Sequence, residues 1–160
     1  ICRSVSVLDG NFMSISEVNF YWEKPIDPLL IKVAWEKAFS RKLSNEQWIK
    51  LWDWRFLNNP FSDKVLSSYK LDNKDVASFV AFSPIKIKYC DSFYNVALGN
   101  TGFTNPKYKG MGYYSLIYNT LIDQMKKLGY NILFGFDNHN SHYPEAVSYT
   151  HLTLPTIYSV

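Results

Sequence analysis

Asn105-Pro106-Lys107-Tyr108-Lys109-Gly110-Met111-Gly112 sets two glycines and two lysines directly ahead of a helix-patterned run, residues 113–128. Gly110 and Gly112 lack a Cβ, so the backbone there can turn sharply and admit a ligand closely. The helix that follows offers free N–H groups and the positive end of its dipole. Lys107 and Lys109 add charge. A segment with these properties suits a phosphate group. Two common phosphate loops fail on spacing. A Walker loop needs Lys-Ser or Lys-Thr after its last glycine, and here Tyr113-Tyr114 follows. A dinucleotide fingerprint needs a third glycine where Ser115 stands. A plain glycine turn with no ligand is the other reading of a lone G-x-G.

The elements that must position this loop follow from periodicity. Residues 17–22 alternate as a strand. Asp27-Pro28 reads as an N-cap and first helical position, with Leu30, Ile31, Ala34, Trp35, Ala38 and Phe39 at helical spacing. Ser44-x-x-Gln47 predicts a capping box opening a second helix, which carries Trp48, Leu51, Trp52 and Phe56 and stops before Pro60. Their helical spacing assigns these aromatics to core packing over ligand stacking. Strands are expected at 64–71, 76–82, 85–90 and 93–103, with a turn over 72–75. The Ile-Lys-Ile-Lys alternation of 85–88 gives that strand one wet face, with Lys86 and Lys88 solvated. The helix after the loop buries Tyr114, Ile117, Leu121, Met125 and Leu128, and Gly129 stops it. Residues 131–136 form a short apolar strand, as a buried parallel one would.

Composition narrows the function. The length suits one domain, and 18% aromatic residues with 19% charged residues support a packed core. A net charge of +3 with no dense basic block gives no case for nucleic acid, and no apolar run reaches a membrane span. Cys2 and Cys90 form neither a disulfide framework nor a zinc pattern, and the cytoplasm is the expected compartment. Cys90 lies in a β-patterned run and reads as a buried or edge thiol, not a nucleophile. His139 and His142 with Asp137 lack the third ligand and open position of a hydrolytic zinc site, so no metal is expected.

Three motifs in sequence carry a resemblance. The loop pattern Lys107-x-x-Gly110-x-Gly112 resembles the pyrophosphate loop of the GNAT N-acetyltransferases, with Lys where Gln or Arg is usual. Upstream, Trp52-Asp53-Trp54-Arg55-Phe56-Leu57-Asn58-Asn59-Pro60 resembles the W-x-W-[RK]-[YF]-x-x-N-P signature of a bacterial subgroup. Downstream, Phe134-Gly135-Phe136-Asp137-Asn138-His139-Asn140-Ser141 resembles its G-F-P-N-x-N-S segment, with Asp137 in the proline's place. Together they span roughly residues 50–141. The element order is that of the GNAT fold, an α/β mixed sheet, up to its fifth strand, without the last helix and two strands.

The resemblance implies acetyl-CoA as cosubstrate, lying where the strands flanking the loop splay apart. Lys107, Lys109, Gly110 and Gly112 become the loop residues that hold it, with Tyr108 and Met111 contributing backbone N–H. The strand before the loop, ending near Phe103, would pair with the pantetheine like an added strand. The reaction is attack of an amine on the thioester, which requires placement, a proton acceptor and an oxyanion donor. The catalytic base is left unassigned. Asn138, Asn140 and Ser141 either orient the acceptor or cap the next helix. The acceptor is a small-molecule amine, a sugar amine or a peptide amine. A non-catalytic acyl-CoA-binding module and an acyltransferase with another donor are the alternatives, separable by turnover and by donor competition. The oligomeric state is left open.

The ends read differently from the middle. Residues 147–156 match the translation of a transposase-type sequencing adapter, GTC TCT TAT ACA CAT CTG ACG CTG CCG ACG. Residues 146–160 are therefore expected to be non-native. Residues 1–12 are upstream read-through or an extension ahead of Met13, which leaves 13–145 as a partial domain.

Overall fold

A computed structural model describes residues 18–135. Helix α1, Pro28–Phe39, starts as expected. The Asp27 carboxylate accepts from Leu29 N at 2.8 Å, and Pro28 fills the first helical position. Helix α2, Asn45–Trp52, opens with the reciprocal capping box. Gln47 N donates to Ser44 Oγ at 3.1 Å, and Ser44 N donates to Gln47 Oε1 at 2.9 Å. The Trp48 indole N–H donates to Pro28 O at 2.8 Å and ties α2 to the start of α1.

The second helix does not run evenly to Phe56. It widens at Asp53 into a five-residue π turn, Asp53–Leu57, closed by Asn58 N donating to Asp53 O at 2.8 Å. Trp52 and Phe56 stay in contact through the turn, with ring centroids 4.7 Å apart, and both are buried.

Five strands form one sheet in the order β1-β2-β3-β4-β5. They are β1, Asn19–Phe20; β2, Leu66–Asp72; β3, Asp75–Tyr89; β4, Ser92–Thr104; and β5, Ile132–Gly135. The first three pairings are antiparallel and the last is parallel. The β2–β3 turn is the expected one. Asn73 and Lys74 both take positive φ, 47° and 71°, matching the twist of a tight hairpin. Strand β1 is shorter than the 17–22 run suggests, because the chain turns back at Phe20, whose carbonyl accepts from Glu23 N and Lys24 N.

Two expectations need correction. Residues 76–82 and 85–90 are one strand, not two. Strand β2 ends opposite Phe82, so beyond it β3 has β4 on one side only, and Pro84 breaks no ladder on the other. Asn59 Nδ2 donates to the Pro84 carbonyl at 3.0 Å. Cys90 is neither buried nor in a strand. It sits exposed in the β3–β4 turn with φ 51°. Lys86 and Lys88 are exposed as expected, but so is Ile87, because this end of the hairpin projects past the helices.

The sheet separates two cores. On one face α1 and α2 pack Ile31, Ala34, Trp48, Trp52 and Phe56 against Tyr69, Phe79, Ala81 and Phe103. On the other, helix α3, Tyr113–Lys127, packs Ile117, Tyr118, Leu121 and Met125 against Leu66, Val80, Phe82 and Ala97. Period-two alternation along β2 and β3 sends neighbouring side chains to opposite cores. Leu128, expected to be buried, is 37% exposed at the end of α3, just before Gly129 takes φ 87°.

Candidate functional site

Among the described residues, strands β4 and β5 pair over residues 96–99 and 132–135, with Gly99 opposite Gly135, the last residue described. At that point β4 bulges. Gly99 pairs with Phe82 and Thr101 with Ala81, so Asn100 is an extra residue. Beyond the bulge β4 stays on β3 as far as Thr104. Among the described residues its other edge carries no strand over residues 100–104. Among the described residues, no strand takes up the backbone donors and acceptors on that edge, which an extended ligand could pair with.

The open edge leads directly to the glycine loop. Asn105, buried, starts a short 3-10 turn, Pro106–Tyr108, and its side chain accepts from Lys107 N at 3.2 Å. Within the loop Tyr108 N donates to Asn105 O, Lys109 N to Pro106 O and Met111 N to Tyr108 O. The N–H groups of Tyr108 and Met111 are thus committed inside the loop. Those of Gly110, Gly112, Tyr113 and Ser115 donate to no group among the described residues, and the first helical bond is Leu116 N to Gly112 O. Gly110 has φ 83° and Gly112 has φ 73°, values that side-chain-bearing residues adopt with strain. A Cβ built at either glycine meets nothing within 4 Å among the described residues.

The two loop lysines differ. Lys107 Nζ lies 3.0 Å from the Tyr108 hydroxyl and 3.7 Å from Asp75 Oδ2. The hydrogen bond to Tyr108, with the Asp75 charge adding to it, raises its pKa. Lys109 is exposed and has no partner among the described residues. Met111 is exposed, whereas Tyr108 is buried, 6.1 Å from the Tyr113 ring. Phe103 is a core residue, 5.7 Å from Phe79 and 6.2 Å from Phe39, so only its backbone faces the open edge. Asn138, Asn140 and Ser141, with His139 and His142, lie outside the described residues.

A second group of polar residues collects on the α1–α2 side of the bulge. Arg55 Nη1 donates to Thr101 Oγ1 at 2.8 Å, and Asn100 Nδ2 donates to Ser83 Oγ. Asn100 Oδ1 is buried and accepts no hydrogen bond among the described residues. Arg55 and Thr101 border a narrow cleft lined by Trp35, Trp48, Leu51 and Trp52, whose enclosed volume of about 10 Å³ fits one water. Burial lowers the Arg55 pKa, though a guanidinium stays charged. Sequence reasoning took Arg55 only as part of a signature and passed over Asn100 and Thr101. Arg55 between Trp54 and Phe56, in the run 52–56 where it is the single cation, is the available signal.

Among the described residues no three His, Cys, Asp or Glu side chains gather as a metal site, and no helix is long and apolar enough to cross a membrane. No protein-family profile matches the chain, and no curated protein matches it. Solved structures do. An Enterococcus faecalis V583 protein of unknown function, described as a probable N-acyltransferase, superposes with TM-score 0.62 at 17% identity. That match covers 82% of this chain and 31% of the other, so the chain spans under a third of that protein's length. A Trypanosoma brucei acetyltransferase gives TM-score 0.61 at 12% identity, over 90% of this chain and 97% of the other. A predicted acetyltransferase of Clostridium acetobutylicum, solved with acetyl-CoA, gives TM-score 0.59 at 11% identity, over 89% and 95%. The chain has the GNAT acyltransferase fold. In GNAT terms, the parallel strands β4 and β5 with α3 between them frame the glycine loop.

Proposed function

We propose that this chain is an N-acyltransferase that moves an acetyl group from acetyl-CoA to an amine. The observation that carries the reading is the continuity between the edge of β4 over residues 100–104 and the amides of Gly110, Gly112, Tyr113 and Ser115, neither of which has a backbone partner among the described residues on that side. An extended pantetheine arm matches the first, and a pyrophosphate matches the second. Lys109 adds a free cation beside the anion, and Lys107 adds charge to the flank.

Acetyl-CoA supplies the activated acyl group as a thioester. The protein's own contribution is placement. The bulge at Asn100 shifts the register of β4 on β3, and the tie from Arg55 to Thr101 holds the next residue against the α2 side. An amine entering between that face and the splayed strands meets the end of the open edge. Small-molecule, sugar-amine and peptide-amine acceptors are all compatible with this layout, and the base that takes the amine's proton is unassigned. We place the reaction in the cytoplasm, in keeping with two cysteines outside any disulfide pattern.

Calorimetric titration of acetyl-CoA tests the reading. Saturable binding that weakens at least tenfold in Gly110→Val is expected. Unchanged affinity in a folded Gly110→Val variant removes the loop from the site. Binding without turnover over a broad amine panel favours a non-catalytic acyl-CoA module.

A further inference from the structure

We infer that the acceptor amine carries an anionic group, a carboxylate or a phosphate, and that Arg55 binds it at the mouth of the cleft beside the β4 bulge. This rests on the reading that an amine meets the acyl group at the splayed strands.

Arg55 is brought there by an unusual piece of backbone. The π turn Asp53–Leu57 keeps Trp52 and Phe56 in the core while sending the intervening guanidinium to Thr101. A guanidinium has five N–H donors, and one bond, to an uncharged hydroxyl, is all that Arg55 makes among the described residues. No carboxylate lies within ion-pair distance of it there. Taking a cation partly out of water beside four tryptophan and leucine side chains is unfavourable unless an anion returns the lost interaction. Planar, forked donors at such a site match a carboxylate or phosphate in two-point geometry.

A second observation points to the amine itself. Asn100, next to Thr101, holds its Nδ2 on Ser83 and leaves Oδ1 buried with no donor. A buried carbonyl oxygen without a donor is destabilising, and an ammonium or amine N–H would satisfy it once the Asn100 side chain, which does not line the enclosed cleft, turns outward. A positively charged donor for Asn100 and an anion for Arg55, anchored one residue apart on β4, describe a small molecule bearing both groups. The enclosed part of the cleft fits only a water, so the acceptor's body lies at the mouth, over the rim of Trp35 and Leu51. A purely structural tie between Arg55 and Thr101 predicts no ligand preference at all.

Ligand-observed NMR on the full chain, with CoA present, decides between the two. The probes are phosphoethanolamine, β-alanine and ethanolamine, which share a two-carbon amine and differ in the second group. At least one anion-bearing amine should bind tenfold or more tighter than ethanolamine, and the phosphate and carboxylate arms identify which anion is preferred. Arg55→Met should remove that difference, and Arg55→Lys should retain part of it. Equal affinity for the three, no binding by any of them, or a preference that survives in Arg55→Met overturns the inference. The wild-type comparison stands without a variant, should Arg55→Met fail to fold. Acetyl-CoA affinity is measured separately. Its absence would defeat the acyltransferase reading, whereas intact acetyl-CoA binding with no amine preference defeats only the anion assignment.

Discussion

Gly99 and Gly135 face each other in the β4–β5 ladder, and a Cβ on Gly135 would lie 3.7 Å from the Gly99 carbonyl oxygen. They are the last pair among the described residues, and the bulge at Asn100 follows at once. From there β4 runs on to the glycine loop.

Gly112 takes φ 73° with open space around it, so a substitution there is strained by backbone conformation and not by a clash. Gly112→Ala should cost about 1–2 kcal/mol of stability, the usual penalty for a left-handed residue with a Cβ. Chemical denaturation checks it. An unchanged midpoint would mean the loop relaxes to another conformation.

The two loop lysines should behave differently. Lys109 has no side-chain partner among the described residues, whereas Lys107 is engaged by Tyr108 and Asp75. Lys109→Ala should weaken acetyl-CoA binding severalfold more than Lys107→Ala, and the difference should shrink in high salt as charge is screened. Equal losses at all salt concentrations would contradict this.

Gly102 is needed for a different reason. A Cβ there would sit 2.5 Å from the Tyr114 hydroxyl and 3.0 Å from its ring. Gly102→Ala should cost about 1–3 kcal/mol, the range for overpacking. Tyr114→Phe removes the closest atom, so the double variant should lose less stability than the sum of the two single ones. Strict additivity in thermal melts would show that the contact does not bind the two residues together.

Tyr69 gives a pH signature. Its hydroxyl donates to Lys24 O at 2.6 Å, and its pKa is pushed up to about 12 by burial, with a smaller contribution from Tyr21. The neutral phenol is the form the folded state favours. Its contribution is complete below the unfolded value near 10 and is lost as pH rises towards 12. Stability should fall across that window, and Tyr69→Phe should flatten the fall. A variant with the same alkaline slope as the parent would exclude Tyr69 as its source.

The Ser44 capping box satisfies two amides at the start of α2. Ser44→Ala should cost about 1 kcal/mol, typical of a lost N-cap. Urea denaturation measures it, and a change below a few tenths would show that α2 is held by Trp48 and Trp52 alone.

Local chemistry explains which parts of the fold were readable. Asp27-Pro28, the Ser44–Gln47 box, the turn at Asn73-Lys74 and the stop at Gly129 are each set by residues within a few positions, and each stands where the sequence puts it. The break expected between 82 and 85 does not occur, because β2 has already ended there and Pro84 interrupts no ladder on that side. The π turn was invisible for a similar reason. Trp52 and Phe56 keep their helical spacing, and only the sheet packed beneath them selects the wider turn. At the candidate site, the left-handed turns are legible from Gly110 and Gly112 themselves. Arg55, Asn100 and Thr101 are not, since they meet across nearly fifty residues of chain and are brought together by the bulge in β4.

Titration of acetyl-CoA into the 15N-labelled chain tests the central claim most directly. The account predicts saturable shifts concentrated at the amides of residues 100–104 and at Gly110, Gly112, Tyr113 and Ser115, with little change at Cys90 or in α1. Shifts centred elsewhere, or none at all from a folded protein, would contradict it.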